Sequence, residues 1–166
     1  MRQTLSRGPH ISRGDQVSAL GGSLVRQRIL IVDDAQDNVD MLEAFLADDA
    51  SSIKSLTDSN QVEHVFAEFE PDIVLLDLHM PPPDGLEILR NLRSARESLG
   101  FLPVIVLTGD TGRTARNSAF LLGADDFLTK PLDRQEVVLR VRNLLRTRRL
   151  YVELAEANRA LEQKLH

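Results

Sequence analysis

"RILIVDDAQDN", residues 28–38, decides how the chain is read. Ile29, Leu30, Ile31 and Val32 form an unbroken apolar run, and Asp33 and Asp34 follow it at once. A continuous apolar run, unlike an alternating one, marks a strand covered on both faces, as in a parallel sheet. Two adjacent carboxylates at its end have three explanations. They can open a surface turn, one of them can cap a following helix, or the pair can hold a cation that offsets their repulsion. Taken alone, the stretch favours the first two.

Working outward, the same kind of run recurs at 73–76 (IVLL) and 104–107 (VIVL), with weaker strand patterns at 51–56 (SSIKSL) and 126–130 (DFLTK). Helical faces alternate with them. Val39, Leu42, Phe45 and Leu46 make the first, and Val62, Val65, Phe66 and Phe69 the second. Leu86, Leu89 and Leu92 with Arg93 suggest a third, and Ala115, Ala119 and Leu122 a fourth. Gly100 and Pro103 punctuate the approach to the fourth strand, and Gly123 closes the fourth helix. Five strands alternating with five helices over about 120 residues predict a doubly wound α/β domain on a five-stranded parallel sheet.

Composition narrows the function. A chain of 166 residues suits one domain with some extension. The net charge of -5 weighs against a nucleic-acid-binding surface over the whole protein. Cysteine is absent, which excludes disulfides, thiolate catalysis and cysteine zinc sites. His10, His64, His79 and His166 have no ligand-like spacing. No apolar stretch reaches membrane-spanning length, and residues 1–27 lack the apolar centre of a secretion signal. Those residues, with their Gly, Ser and Arg, read as a mobile leader, and the protein reads as cytoplasmic.

From Leu132 onward there is no Gly or Pro, so the fifth helix is expected to run unbroken into an extension over 147–166. Val137, Leu144, Tyr151, Asn158 and Leu165 fall seven apart, with Leu154 and Leu161 at companion positions. Arg140 and Thr147 are polar companions, which starts the seam at about Leu144. With no core left to join, this pattern predicts a parallel coiled coil between two copies, and Asn158 at an a position favours a two-stranded register. Arg140, Arg142, Arg146, Arg148 and Arg149 read as solvated.

In a doubly wound sheet, ligands bind beyond the C-terminal ends of the strands. The first strand ends in Asp33-Asp34, the third in Asp77, the fourth in Thr108-Gly109 and the fifth in Lys130-Pro131. Each has an ordinary loop explanation on its own. Together they bring three carboxylates, a hydroxyl and an ammonium to one edge. Clustered carboxylates supply hard oxygen ligands for Mg²⁺, which also accepts phosphate oxygens. A carboxylate can itself receive a phosphoryl group. Lys130 and the metal would neutralise the transferring phosphoryl, Thr108 could donate to it, and Gly109 leaves space beside it.

"LIVDD", "DIVLLDLHMPPPDG", "PVIVLTG" and "GADDFLTKP", in that order, resemble the receiver domain of two-component response regulators over residues 28–146. The resemblance implies that Asp77 is the phosphoacceptor and that a sensor histidine kinase is the donor. It implies Mg²⁺ on Asp33, Asp34 (directly), Asp77 and the backbone carbonyl of His79. Thr108 matches the switch hydroxyl, Lys130 the phosphate-contacting lysine, and Phe127 the aromatic residue that rotates inward. Lys130-Pro131 is then expected in the cis form. Output is expected through the fourth helix, fifth strand and fifth helix and through the C-terminal helix, with phosphotransfer and dephosphorylation as the only chemistry. His79 and Asp110 lie where the family varies its dephosphorylation rate. Three alternatives stay open. "LLRTRRLYVELAEANRALEQKL" resembles linkers leading to cyclic-di-GMP or kinase modules, so the chain could front a longer regulator. It could be an unphosphorylated constitutive binding module. A haloacid-dehalogenase-like phosphatase shares an Asp nucleophile and Mg²⁺, but carries a second Asp where this chain has His79. No helix-turn-helix-sized segment follows, so a DNA-binding regulator is not expected.

Overall fold

The computed structural model describes residues 27–109 and 113–166; the expected leader before Gln27 and Asp110 lie outside them. The elements run β1 (Arg28–Val32), α1 (Gln36–Leu46), β2 (Ser52–Leu56), a 3₁₀ turn (Ser59–Gln61), α2 (Val62–Phe69) and β3 (Ile73–Asp77). They continue with α3 (Gly85–Leu99), β4 (Val104–Thr108), α4 (Arg113–Leu121), β5 (Asp126–Thr129) and α5 (Arg134–Lys164). The strands form one parallel sheet in the order β2-β1-β3-β4-β5. The doubly wound five-stranded domain with a long C-terminal helix is what the periodicity predicts.

The unbroken apolar runs are explained by cover on both faces. Successive side chains of a strand point to opposite sides. Leu30, Val32, Val74, Leu76, Val104 and Val106 join the layer with α2 and α3, while Ile29, Ile31, Ile73, Leu75, Ile105 and Leu107 join the layer with α1 and α5. The order reverses at β1, so the loops after β1 and β3 splay apart and leave a crevice at the strand ends. Asp84 and Asp133 start α3 and α5, each accepting from the backbone N–H of a Glu three residues on, at 3.0 and 2.9 Å.

Several details depart from the sequence reading. β3 ends at Asp77 and β4 reaches Thr108 as expected, both as paired strand residues, but β5 stops at Thr129 and leaves Lys130 just outside it. On α3 the buried face is Gly85, Ile88, Leu89 and Leu92, and Arg93 is exposed. The arginines of α5 are not simply solvated. Arg140 pairs with Asp126 and Glu136, Arg142 with Asp49, and Arg148 with Asp72, each fastening the helix to the domain or to its own preceding turn. Val137 is fully buried and Leu144 packs on the core, so the upper heptad positions are used inside the domain.

Candidate functional site

Three strand ends and one loop build the site. Asp33 follows β1 and is fully buried; Oδ1 accepts from the Ala35 backbone N–H at 2.9 Å and from the Asn38 side chain at 3.3 Å. These donors hold its carboxylate in place as α1 begins. Asp34 beside it is exposed. Asp77 ends β3 at 2% exposure, and its Oδ1 accepts from the His79 backbone N–H at 3.0 Å. Lys130, just after β5, reaches across with Nζ 3.0 Å from Asp33 Oδ2 and 3.3 Å from Asp77 Oδ2. Thr108 is buried at the end of β4, with Oγ1 3.4 Å from His79 Nε2. The Lys130-Pro131 bond is cis, and so is Pro82-Pro83, which the sequence reading did not anticipate.

Two carboxylates sealed from water need a cation, because an uncompensated buried charge is costly. Lys130 supplies one. Burial alone would lower its pKa, but the hydrogen bond to Asp33 and the charges of Asp77 and Asp33 raise it, so it stays protonated. Burial pushes the Asp77 carboxyl above its ordinary value. The His79 amide and Lys130 pull it back in part, while the Asp33 charge adds to the rise. One ammonium therefore leaves the cluster short of positive charge.

Asp33, Asp34 and Asp77 each offer a carboxylate oxygen, and these lie within 4.8 Å of one another. Three hard oxygen donors that close together, one of them exposed, fit Mg²⁺, which binds a few carboxylates and keeps several waters. The space beside the site is open: a Cβ built on Gly109 would meet nothing within 4 Å.

Phe127 stands away from the acidic cluster, on the face shared by α4 and α5. Its ring packs edge-on to Phe120 at 5.9 Å, with the Arg116 guanidinium 4.3 Å and the Arg140 guanidinium 5.9 Å from its centroid. Two residues were missed in the sequence. Asn38, in the first turn of α1, holds Asp33. Gly85 starts α3 so close beneath the Asp77 loop that an added Cβ would meet the Asp77 carbonyl oxygen and come within 2.6 Å of Leu78 Cα. The signal for Gly85 was available in "PPPDG"; Asn38 gave none.

A family model described as response regulator receiver domain matches residues 29–142. Among solved structures, the N-terminal signal receiver domain of a two-component system response regulator from Bacteroides fragilis is 27% identical, with a TM-score of 0.64, covering 72% of this chain and 97% of that one. A two-component response regulator from Clostridium difficile is 24% identical with a TM-score of 0.66, covering 73% and 97%. The chemotaxis protein CheY4 of Vibrio cholerae is 21% identical with a TM-score of 0.66, covering 72% and 98%.

Proposed function

The chain belongs to the response regulator receiver domain family, and from that membership we propose that Asp77 takes a phosphoryl group from the phosphohistidine of a sensor kinase. One observation carries the reading: Asp77 is buried at a strand end, with Lys130 Nζ at 3.3 Å and the oxygens of Asp33 and Asp34 within 4.8 Å. An Asp77 oxygen attacks phosphorus, the phosphorus–nitrogen bond to the kinase histidine breaks, and water later returns the carboxylate and inorganic phosphate. Asp33, Asp34, Asp77 and the His79 carbonyl would hold Mg²⁺, which supplies positive charge to the transferring phosphoryl. Lys130, already bridging Asp33 and Asp77, would turn to a phosphoryl oxygen, and Thr108 would donate to another.

The new group adds about −1.5 to −2 charge. Drawing Lys130 and Thr108 towards it would move the loop after β4 and let Phe127 leave its half-buried packing against Phe120 for the interior. The readout is then the α4–β5–α5 face, with α5 carrying the change into a parallel homodimer. The exposed leucines of α5 beyond the domain favour this output. They serve equally if the chain is the front part of a longer regulator. No helix among the described residues is long and apolar enough to cross a membrane, and a cytoplasmic protein without a nucleic-acid partner fits the reading.

The test is intact mass after incubation with acetyl phosphate, with and without Mg²⁺, for wild type and Asp77→Asn. A single Mg²⁺-dependent phosphoryl adduct, absent from the variant, is expected. No adduct in wild type would leave a constitutive binding module with the receiver architecture.

A further inference from the structure

α5 does not leave the domain where its buried face ends. Leu145 is its last buried residue, yet two later side chains reach back to the rim where β1, β3 and β4 begin. Arg148 Nε donates to Asp72 Oδ1 at 3.2 Å and its Nη1 donates to the Phe101 carbonyl at 2.7 Å. The other Asp72 oxygen accepts from the Arg28 backbone N–H at 2.9 Å, so one carboxylate joins α5 to the starts of β1 and β3. Both partners are largely withdrawn from water, with side chains 14% and 20% exposed. Three residues on, the Tyr151 ring lies over Gly100. A Cβ there would come within 2.5 Å of Tyr151 Cε1, and the φ of +75° suits glycine. The same ring is 6.3 Å from that of Phe101.

Past this rim, Leu150, Leu154, Leu161 and Leu165 are 56%, 62%, 59% and 84% exposed. At about 100° per residue they share one stripe, roughly 150° around the helix from Val137, Val141 and Leu145. With Asn158 counted, Leu154, Asn158, Leu161 and Leu165 are spaced 4, 3 and 4, which is that of a helix-pair seam, and Leu150 flanks it. Asn158 lies within the seam. A second copy in parallel register offers it an amide at the same height, whereas an unrelated apolar groove would leave it unpaired. Leu144 and Tyr151, which continue the heptad towards the domain, are turned to the core and the rim.

We propose that Arg148 and Tyr151 form a rim latch that fixes the rotational phase of α5, so that a second copy pairs in parallel from Leu154 onward and the two domains lie on opposite outer sides of the helix pair. This rests on the homodimer proposed above and adds where its seam starts and what holds it there.

Because the chain has no cysteine, single variants of the full chain can be cross-linked by mild oxidation without background. The sites are Leu144→Cys, Leu150→Cys, Leu154→Cys, Glu156→Cys and Leu161→Cys, with native mass measured alongside. Positions 154 and 161 should cross-link roughly tenfold faster than 144 and 156, with 150 at the edge of the seam in between, since only seam side chains meet across the pair. Adding Arg148→Ala, or separately Tyr151→Ala, should bring position 144 close to position 154. Equal cross-linking at 144 and 154 in the otherwise native chain would overturn the latch and leave the dimer standing. So would a pattern that neither latch variant changes. A monomeric mass with no cross-link at any site would overturn the dimer and the latch together.

Discussion

Asp77→Asn should make the metal-free protein more stable at neutral pH. The variant keeps the shape of the side chain and the acceptor for the His79 amide while removing one negative charge. The closest Asp33 and Asp77 oxygens lie within 4.8 Å, so at an effective dielectric of 20 their repulsion is at least about 3.5 kcal/mol. Lys130 at 3.3 Å returns about 5 kcal/mol on the same scale. Withdrawing a carboxylate from water costs several kcal/mol more. The balance tips against the charge, in agreement with the upward shift of the Asp77 pKa, and we expect a gain of about 1 kcal/mol, or about 3 °C in Tm. The pH dependence has a definite sign. A raised carboxyl pKa stabilises the fold at low pH and loses that contribution as pH rises through the folded-state value. The advantage of the variant should therefore be present at neutral pH and vanish on acidification, where wild-type Asp77 is protonated too. Mg²⁺ at ten times its dissociation constant should add about 1.4 kcal/mol to wild type and less to the variant, narrowing the gap between them. Urea unfolding at pH 7.5 in chelator and in Mg²⁺ measures all of this. A variant less stable than wild type in chelator would refute the reasoning, because attraction by Lys130 would then outweigh burial and repulsion.

Lys130→Met should destabilise the metal-free protein by about 3 kcal/mol by leaving Asp33 and Asp77 buried without a cation, and Mg²⁺ should restore part of that loss in the same urea assay. Gly85→Ala should cost about 2 kcal/mol, because the methyl group meets backbone rather than a side chain that can move aside; thermal unfolding reads the loss, and slower adduct formation on Asp77 should accompany it. Asp125→Ala, which leaves the Arg96 guanidinium without its carboxylate at 2.9 Å and the Val104 N–H without its acceptor, should cost about 2 kcal/mol and show as a lower urea midpoint with an unchanged slope.

The sheet was legible because apolar cover on both faces leaves a mark that survives without any tertiary knowledge. β1, β3 and β4 are continuous apolar runs for that reason, whereas β2 is a sheet edge with alternating exposure and gave the weaker signal. The acidic cluster was legible because strand ends in a parallel sheet share one edge, so Asp33, Asp77 and Lys130 could be brought together from order alone. What stayed hidden lacks a period. Asp72, Phe101 and Arg148 meet across separations of 47 and 76 residues, and no local pattern joins them. Arg93 was misplaced because it falls in register seven residues after Leu86, but the face of α3 that meets the sheet is centred on Ile88, Leu89 and Leu92. The unbroken length of α5 was legible in the absence of Gly and Pro, yet only packing shows that Val137 and Leu144 of its heptad spacing are taken up by the domain.

The length of α5 sets a mechanical ratio. From Tyr151, its last hold on the domain, to Leu165 the helix overhangs by about 21 Å at 1.5 Å per residue. A tilt of about 10° at that fulcrum sweeps the tip through nearly 4 Å, close to the contact distance between two carbon atoms. A rearrangement at the far end of the sheet too slight to disturb the core could thus separate or seat a whole leucine layer at the overhanging end.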